Sequence, residues 1–355
     1  MDKLARRPAE DRRDIFSEAA ARLGIRPTII EKDFWVCVAL KFLFQKSRFG
    51  KSLVFKGGTS LSKAHGLIER FSEDIDLVLD WNLIGFGDGL RDPMQDFTSK
   101  GRQDQFNKEI NRLAADYIVK TLCPELEDLL RQENVGLSAT VDPDDPHTVN
   151  IRYPAAFAET YIRPEIRLEI GPLASWVPSA TQMIRPYAFD VVPEVFENPV
   201  CEAVVIAAER TFWEKATILH QEAHRKTQIP QRYSRHYYDL YKLAGSHVRA
   251  SALAAPKLLQ DVVAFKQRFY PSTWARYDLA VQGSLKLLPA APSQVKDLAQ
   301  DYEEMQVMLF GTPPEFRDIL DELKNLEAEI NATLFSAFVL KDEGIIMAEE
   351  AAGAQ

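Results

Sequence analysis

The chain lacks the features of a membrane protein or a disulfide-rich secreted protein. No segment approaches the ~20 apolar residues that a bilayer-spanning helix needs, and the residues after Met1 form no apolar leader. Only 3 cysteines occur among 355 residues. Cys37, Cys123 and Cys201 are far apart and have no CxxC spacing, so neither a disulfide framework nor a zinc site is indicated. The sequence therefore predicts a cytoplasmic protein.

An excess of positive charge is also absent. The formal net charge of −9 argues against a protein that coats nucleic acid without specificity. One local stretch differs, because residues 225–242 combine basic side chains with aromatic rings, a pairing that suits phosphates and stacked bases. Its basic residues are Arg225, Lys226, Arg232, Arg235 and Lys242, and its tyrosines are Tyr233, Tyr237, Tyr238 and Tyr241.

The most informative segment is FKGGTSLSK at residues 55–63. The preceding apolar residues predict a short strand, and Gly57 and Gly58 permit a turn that bulkier residues resist. Thr59 and Ser60 are expected to cap a helix that runs to about Ile68. A helix that begins in this way points free N–H groups at an anion. The segment is therefore interpreted as a phosphate-binding turn.

A second segment, RFSEDIDL at residues 70–77, follows at once. It predicts a strand from about Ser72, in which Asp74 and Asp76 project from one face and the apolar residues between them from the other. Two adjacent carboxylates repel each other unless a cation lies between them, and Mg²⁺ prefers such oxygen ligands together with substrate phosphates. Ser72 is close enough to hydrogen-bond a phosphate or Asp74, or it simply begins the strand.

Either half alone is better explained as an ordinary turn or as the solvated face of an edge strand. Together they resemble the defining motif of the polymerase-beta-like nucleotidyltransferase superfamily, and the longer strings resemble the AbiEii family of nucleotidyltransferase toxins. The implied fold class is α+β, with a mixed sheet flanked by helices and a mainly helical C-terminal domain. Residues 1–200 are predicted to form the nucleotidyltransferase domain, residues 201–345 a helical domain that completes the active site, and residues 346–355 a frayed tail.

The remaining elements follow from periodicity. Helical spacing predicts one helix over about 104–132, kinked near Pro124, and alternation predicts a hairpin over 137–153 and a strand over 161–170. The proline-rich residues 172–199 are expected to be irregular. Helices are predicted in the second half at about 206–225, 233–246, 251–268, 296–309 and 314–337.

A third carboxylate is expected on the strand over 161–170. Two-metal phosphoryl transfer commonly uses one, and Glu169, on the polar face of that strand, is the candidate metal ligand. An equally good alternative is a surface glutamate paired with Arg167.

The segment ERTFWEKATILH at residues 209–220 resembles a second AbiEii signature, in which the lysine that corresponds to Lys215 is a catalytic-site residue. The alternative is a solvated lysine. In RHYYDLY at 235–241 the resemblance implies a functional aspartate at Asp239 and a phosphate contact at Arg235, although an i,i+4 salt bridge explains the pair as well. His220 and His224 have metal-ligand spacing but no third ligand, so polar histidines near a helix end are preferred.

The resemblance thus implies a magnesium-dependent enzyme that uses a nucleoside triphosphate. Asp74 and Asp76, with Glu169, would hold magnesium, and Ser72, Lys215 and Asp239 are further candidate catalytic residues. A tRNA 3′ end is the implied acceptor, and a cognate antitoxin of AbiEi type, as in abortive-infection systems, is the implied partner. A protein or small-molecule hydroxyl as acceptor, or a non-catalytic nucleotide-binding module, is the alternative. The candidate nucleotide-binding residues are Gly57, Gly58, Thr59, Ser60, Lys63 and Arg235.

Overall fold

The computed structural model describes residues 1–87, 91–94, 99–158 and 163–353, with side chains up to Phe335. The chain divides into two compact units, Met1–Ala207 and a second unit from Ala208 onward. Within the described residues, no helix combines the length and the apolar character that crossing a bilayer requires.

The first unit is built on a mixed sheet of seven strands in the order β3-β4-β5-β2-β1-β7-β6. Strand β2 is antiparallel to β1 and parallel to β5, and β1 is also parallel to β7. The predicted α+β core with a mixed sheet is therefore confirmed. The strands are β1 (Leu53–Lys56), β2 (Asp74–Leu79), β3 (Ser138–Val141), β4 (Thr148–Arg152), β5 (Glu165–Gly171), β6 (Ser179–Ile184) and β7 (Cys201–Ile206).

Helix α3 lies at the centre of this unit. Every residue from Ile29 to Leu40 is buried, as expected for a helix that packs on all sides. It contacts β5 and β7, and its apolar residues share one core with the inward side chains of the sheet. The helices of the unit are α1 (Asp2–Ala5), α2 (Ala9–Leu23), α3 (Pro27–Lys41), α4 (Gly57–Lys63), α5 (Lys100–Tyr117) and α6 (Cys123–Glu133).

The predicted alternation along β2 is confirmed. Ile75 and Leu77 are buried in the core that contains α3, whereas Asp74 and Asp76 are half-buried on the opposite face. The parallel register with β5 sets Asp74 beside Arg167 and Asp76 beside Glu169. The sheet therefore gathers two carboxylates from β2 and two charged residues from β5 on one face.

Three predictions for the first unit need correction. The helix expected over 104–132 is interrupted by a π-helical turn, Ile118–Leu122, directly before Pro124, whose missing N–H makes it a helix-starting residue. Residues 172–199 are not wholly irregular, since they contain β6. Strand β7, which pairs with β1 and β6, keeps residues 201–206 in the sheet, so the first unit ends after Ala207 rather than near 200.

The second unit is helical in its described residues, as predicted. The helix expected over 251–268 is divided into two because Pro256 begins a new one. The last helix continues to Gly353, past the expected end near 337 and through most of the tail expected to fray, where Ala and Glu favour helix. The helices are α7 (Ala208–Ala223), α8 (Ser234–Ala244), α9 (Val248–Leu253), α10 (Pro256–Phe269), α11 (Tyr277–Ala280), α12 (Pro292–Met305) and α13 (Phe316–Gly353).

Candidate active site

The turn between β1 and α4 brings backbone against a carboxylate. Gly57 has φ +81°, in the left-handed region that favours glycine, and a Cβ atom built there would lie 1.8 Å from the Oδ2 atom of Asp76. A side chain at this position is therefore excluded both by the backbone conformation and by the space that Asp76 occupies. The Gly-Gly turn and the second aspartate form one packed unit.

The hydroxyl groups of Thr59 and Ser60 do not cap α4 as predicted. The N-cap residue of α4 is Lys56, and no side chain caps it. Thr59 Oγ1 donates instead to the backbone oxygen of Asp74 at 2.5 Å, and Ser60 Oγ donates to the backbone oxygen of Gly57 at 2.8 Å. Both side chains are buried. Thr59 thus ties the turn to the start of β2, and Ser60 stabilises the turn itself.

Two further side chains lie against the turn. A Cβ atom at Gly58 would lie 2.4 Å from Arg70 Nη2 and 3.2 Å from Ser72 Oγ. Ser72 is therefore next to the Gly-Gly turn, where the sequence placed a candidate phosphate contact. Arg70 is buried, and sequence reasoning assigned it no role. The sequence feature that could have identified Arg70 is its position at the start of the RFSEDIDL segment.

The environment of Asp74 is unfavourable for its charged form. Burial, and then the neighbouring carboxylates of Asp76 and Glu73, raise the pKa of Asp74, while Arg167 partly opposes that rise. Glu73 itself is paired with Lys32 of α3 at 2.8 Å. The carboxylate pair on β2 is thus short of positive charge, which is the condition that a bound cation relieves.

Glu169 lies beside Arg167, as the alternative interpretation expected. The Arg167 guanidinium is 3.8 Å from Glu169 Oε1, 3.8 Å from Asp74 Oδ1 and 3.4 Å from Asp142 Oδ2. Among the residues that the structure describes, no three His, Cys, Asp or Glu side chains are grouped closely enough to hold a metal ion. The β2 face thus presents two carboxylates, Asp74 and Asp76, and metal binding by these two and by Glu169 stays a prediction.

Lys63 is held in a buried ion pair at the end of α4. Its side chain is 4% exposed, its Nζ atom is 2.5 Å from Asp33 Oδ1, and it lies 3.5 Å from the centre of the Tyr187 ring. Asp33 also accepts a hydrogen bond from the Tyr187 N–H. The charge of Lys63 is thus used in a buried ion pair between α4 and α3, and its role as a nucleotide contact stays a prediction.

In the second unit, Lys215 and Asp239 meet. Lys215 Nζ, on α7, is 2.9 Å from Asp239 Oδ2, on α8, and Asp239 is fully buried. The same Nζ atom is 3.0 Å from the Nδ1 atom of His236. A solvated lysine is therefore excluded for Lys215. An i,i+4 salt bridge with Arg235 does not explain Asp239 either, because the Asp239 carboxylate forms an ion pair with Lys215 on another helix.

The sequence matches one family model, that of the nucleotidyl transferase AbiEii toxin of type IV toxin–antitoxin systems, over residues 41–322. The match covers most of the chain and includes both site segments. This chain belongs to the AbiEii family. It is accordingly a nucleotidyltransferase of a toxin family, and an antitoxin partner and a nucleoside triphosphate substrate follow from that membership.

Solved structures similar to this AbiEii chain are distant in sequence. MenT4, a nucleotidyltransferase toxin of Mycobacterium tuberculosis H37Rv, is 17% identical with a TM-score of 0.41, over 91% of this chain and 97% of MenT4. JHP933 of Helicobacter pylori is 13% identical with a TM-score of 0.43, over 92% of this chain and 99% of JHP933. A comparison with curated proteins finds no match.

The basic and aromatic stretch of this AbiEii chain is only partly available to a ligand. Tyr237 and Tyr238 are buried, so the predicted stacking role is wrong for these two rings. The Nε atom of Arg235 is buried and has no hydrogen-bond partner among the residues that the structure describes. A buried donor without an acceptor is uncommon in a folded protein, and an anionic ligand would satisfy it.

His220 and His224 do not form a metal site. His220 Nε2 donates to the backbone oxygen of Arg276 at 2.8 Å, and its Nδ1 accepts the Lys286 N–H at 2.9 Å. Both ring nitrogens of His220 are therefore used in backbone hydrogen bonds. The preferred interpretation, structural histidines near a helix end, is confirmed for His220.

Proposed function

We propose that this AbiEii protein transfers a nucleoside monophosphate from a nucleoside triphosphate to the 3′ end of a tRNA, with magnesium as its metal ion. The observation that carries the proposal is the pair of carboxylates on β2, Asp74 and Asp76, packed against the Gly57 turn. A short turn that only glycine can form, next to two carboxylates on one strand face, suits a triphosphate bound with a cation.

The donor set fits magnesium. Asp74 and Asp76 offer hard oxygen ligands, and Mg²⁺ is commonly held by one or two carboxylates plus substrate phosphates. Burial and the neighbouring Asp76 raise the pKa of Asp74, so a cation bound next to these carboxylates would stabilise the charged form of Asp74. Bound magnesium would supply charge neutralisation at the triphosphate.

The remaining residues are assigned by their chemistry. The backbone N–H groups that begin α4 at Gly57 and Gly58 are proposed to contact phosphate, with Ser72 as a hydroxyl donor beside them. Lys215 is proposed as a point charge and Arg235 as a forked donor for phosphate oxygens. An acceptor hydroxyl attacks the α-phosphate, and pyrophosphate leaves.

An RNA acceptor, which the AbiEii resemblance implies, is supported by the local charge of the second unit. Lys226 and Arg232 are exposed, so positive charge is available at the surface despite the negative net charge. An antitoxin of AbiEi type is proposed as the partner.

A labelling experiment tests the proposal. The purified protein is incubated with each α-labelled nucleoside triphosphate, Mg²⁺ and either total RNA or total cell protein, and the label is located by electrophoresis. We expect label in tRNA-sized RNA with one or two of the nucleotides. Label in protein would replace the RNA acceptor with a protein hydroxyl, and no label in either fraction would overturn nucleotidyl transfer to macromolecules.

Variants of the carboxylates locate the metal ligands. Asp74→Asn and Asp76→Asn are each expected to lower the rate by about 10³-fold or more, because a metal ligand is lost. Glu169→Gln is expected to cost less than roughly tenfold, since its carboxylate lies beside Arg167. A loss with Glu169→Gln as large as that with Asp76→Asn would instead establish Glu169 as the third ligand.

A further inference from the structure

The ammonium group of Lys215 contacts both a carboxylate and an imidazole. Its Nζ atom is 2.9 Å from the Asp239 carboxylate and 3.0 Å from Nδ1 of His236. A lysine ammonium only donates hydrogen bonds, so Nδ1 of His236 must be the acceptor here. An imidazole that accepts at Nδ1 carries its proton at Nε2. With the ammonium as donor, the ring of His236 is assigned the tautomer that carries its proton at Nε2.

The two acceptors do different work. Asp239 is fully buried and neutralises the charge of Lys215, an attraction that depends weakly on direction. His236 adds no charge, yet its lone pair accepts only along the ring plane, so it restricts where the three N–H bonds of the ammonium point. The ring of His236 is itself restrained, because it is 9% exposed and packs nearly perpendicular to the ring of Tyr233, with 5.0 Å between the ring centres.

We propose that His236 is a positioning residue for nucleotidyl transfer. It holds the flexible side chain of Lys215 so that an N–H bond is directed at the triphosphate. The inference rests on the proposed function, because it assumes that Lys215 contacts phosphate. Misdirection of such a donor slows the chemical step more than it weakens binding of the acceptor.

Two substitutions at position 236 separate hydrogen bonding from packing. In His236→Asn the side-chain oxygen occupies nearly the place of Nδ1 and keeps an acceptor for Lys215, whereas His236→Leu fills similar space without one. We expect His236→Leu to lower kcat about 10- to 100-fold, the effect of one hydrogen bond to a charged group. The KM for the RNA acceptor should change less than about threefold. His236→Asn should restore kcat to within about threefold of the wild type.

The controls distinguish failure of this inference from failure of the proposed function. His247→Asn, at an exposed histidine before α9, should match the wild type. If Lys215→Met is inactive while His236→Leu has wild-type kcat, the positioning role is overturned and the proposed function stands. If Lys215→Met is fully active, the role of Lys215 in the proposed function is overturned, and the inference with it. Equal losses in His236→Asn and His236→Leu would also overturn the positioning role.

A spectroscopic measurement keeps the inference testable even if His236→Leu fails to fold. The ¹⁵N chemical shifts of the imidazole ring report which nitrogen carries the proton. In the wild-type protein at neutral pH, His236 should show an unprotonated Nδ1 and a protonated Nε2, and Lys215→Met should shift the Nδ1 resonance. A protonated Nδ1 in the wild type would overturn the inference.

Discussion

Single residues determine whether the β1–α4 turn and the carboxylates of β2 fit together. Gly57 has a positive φ, a backbone conformation that is strained for other residues, and the Asp76 carboxylate occupies the space that a Cβ atom at position 57 would need. Arg167 provides the compensating charge beside Asp74. At this scale the protein places a carboxylate and a backbone turn closer together than any side chain at position 57 would allow.

Gly57→Ala tests this contact. The added methyl group would displace the Asp76 carboxylate and strain the backbone, so we expect nucleotidyl transfer to fall at least about tenfold and the free energy of unfolding to drop by about 1–3 kcal/mol. Gly66→Ala is the matched control, because Gly66 also has a positive φ, +63°, but has no atom within 4 Å of the added Cβ. It should lose stability and keep activity. Similar activity in the two variants would show that the contact with Asp76 is unimportant.

The pH dependence of activity should respond to Arg167. In the proposed function Asp74 acts as a carboxylate, so activity should be lost as the pH falls through its pKa, which burial and Asp76 raise and Arg167 lowers. Arg167→Leu should therefore move the acidic limb of the rate profile to higher pH. Arg163→Leu, at an exposed arginine of the same segment, should leave the limb in place. The test is the rate of nucleotidyl transfer measured at several acidic pH values. An acidic limb that does not move in Arg167→Leu would contradict the role of Arg167 in lowering the pKa of Asp74.

Among the secondary-structure elements, α3 has a part in the site that its sequence did not reveal. Lys32 pairs with Glu73, the residue directly before β2, and Asp33 pairs with Lys63 at the end of α4. The helix is thus joined by ion pairs to both halves of the sequence motif. The partner of Lys63 lies thirty residues earlier in the chain, so no local pattern revealed this ion pair.

Removal of Lys63 should act on stability. Lys63→Met leaves the buried Asp33 carboxylate unpaired, which is expected to lower the free energy of unfolding by about 3–5 kcal/mol. The double variant Asp33→Asn, Lys63→Met removes both charges and should recover much of that loss. Urea unfolding measures the three proteins. Lys3→Met is the control, since the Lys3–Glu197 pair has a similar contact distance of 2.8 Å but is exposed, and its loss should have little effect.

Activity of the double variant separates the two roles of Lys63. If the role of Lys63 is only structural, the folded double variant should have nearly the wild-type KM for the nucleoside triphosphate. A KM raised by tenfold or more in a protein of normal stability would restore Lys63 as a nucleotide contact.

Elements with strong local patterns were predicted well. The alternation of Asp74 to Leu77 identified a strand with the correct inward face, and the helices α7 and α8 lie close to their predicted bounds. Strands β6 and β7 were missed, because both gain their stability by pairing with other strands. Propensity and period are local signals, and strand pairing across long sequence separations is not.

At the scale of the whole chain, stability is distributed over two units. The first packs a mixed sheet against the buried helix α3, and the second, like the first, buries polar groups. His220 is one of them. Its ring is buried and bonded to two backbone groups, and burial lowers its pKa from 6.5 to about 4. The second unit therefore contains a histidine that folding keeps neutral.

Stability should fall with acid because of His220. Between pH 6.5 and about 4 the unfolded chain binds a proton at this residue and the folded chain does not, so the free energy of unfolding rises with pH in that window. The contribution of His220 is expected to be roughly 3 kcal/mol between pH 7 and pH 4. Urea unfolding of the wild type and His220→Asn at several pH values measures it. The variant should show a smaller slope, and equal slopes would contradict the assignment.

The sequence by itself determined the family, the alternation along β2, the helical second half and the carboxylate pair, because these depend on residues that are close along the chain and on spacing that only a strand or helix satisfies. Tertiary structure decided the partners of charged groups. Lys63 pairs with Asp33, Glu169 lies beside Arg167, and Lys215 is held between Asp239 and His236. The partner of a charged group depends on which other groups lie near it in space. Elements far apart in the sequence bring such groups together only when the chain folds.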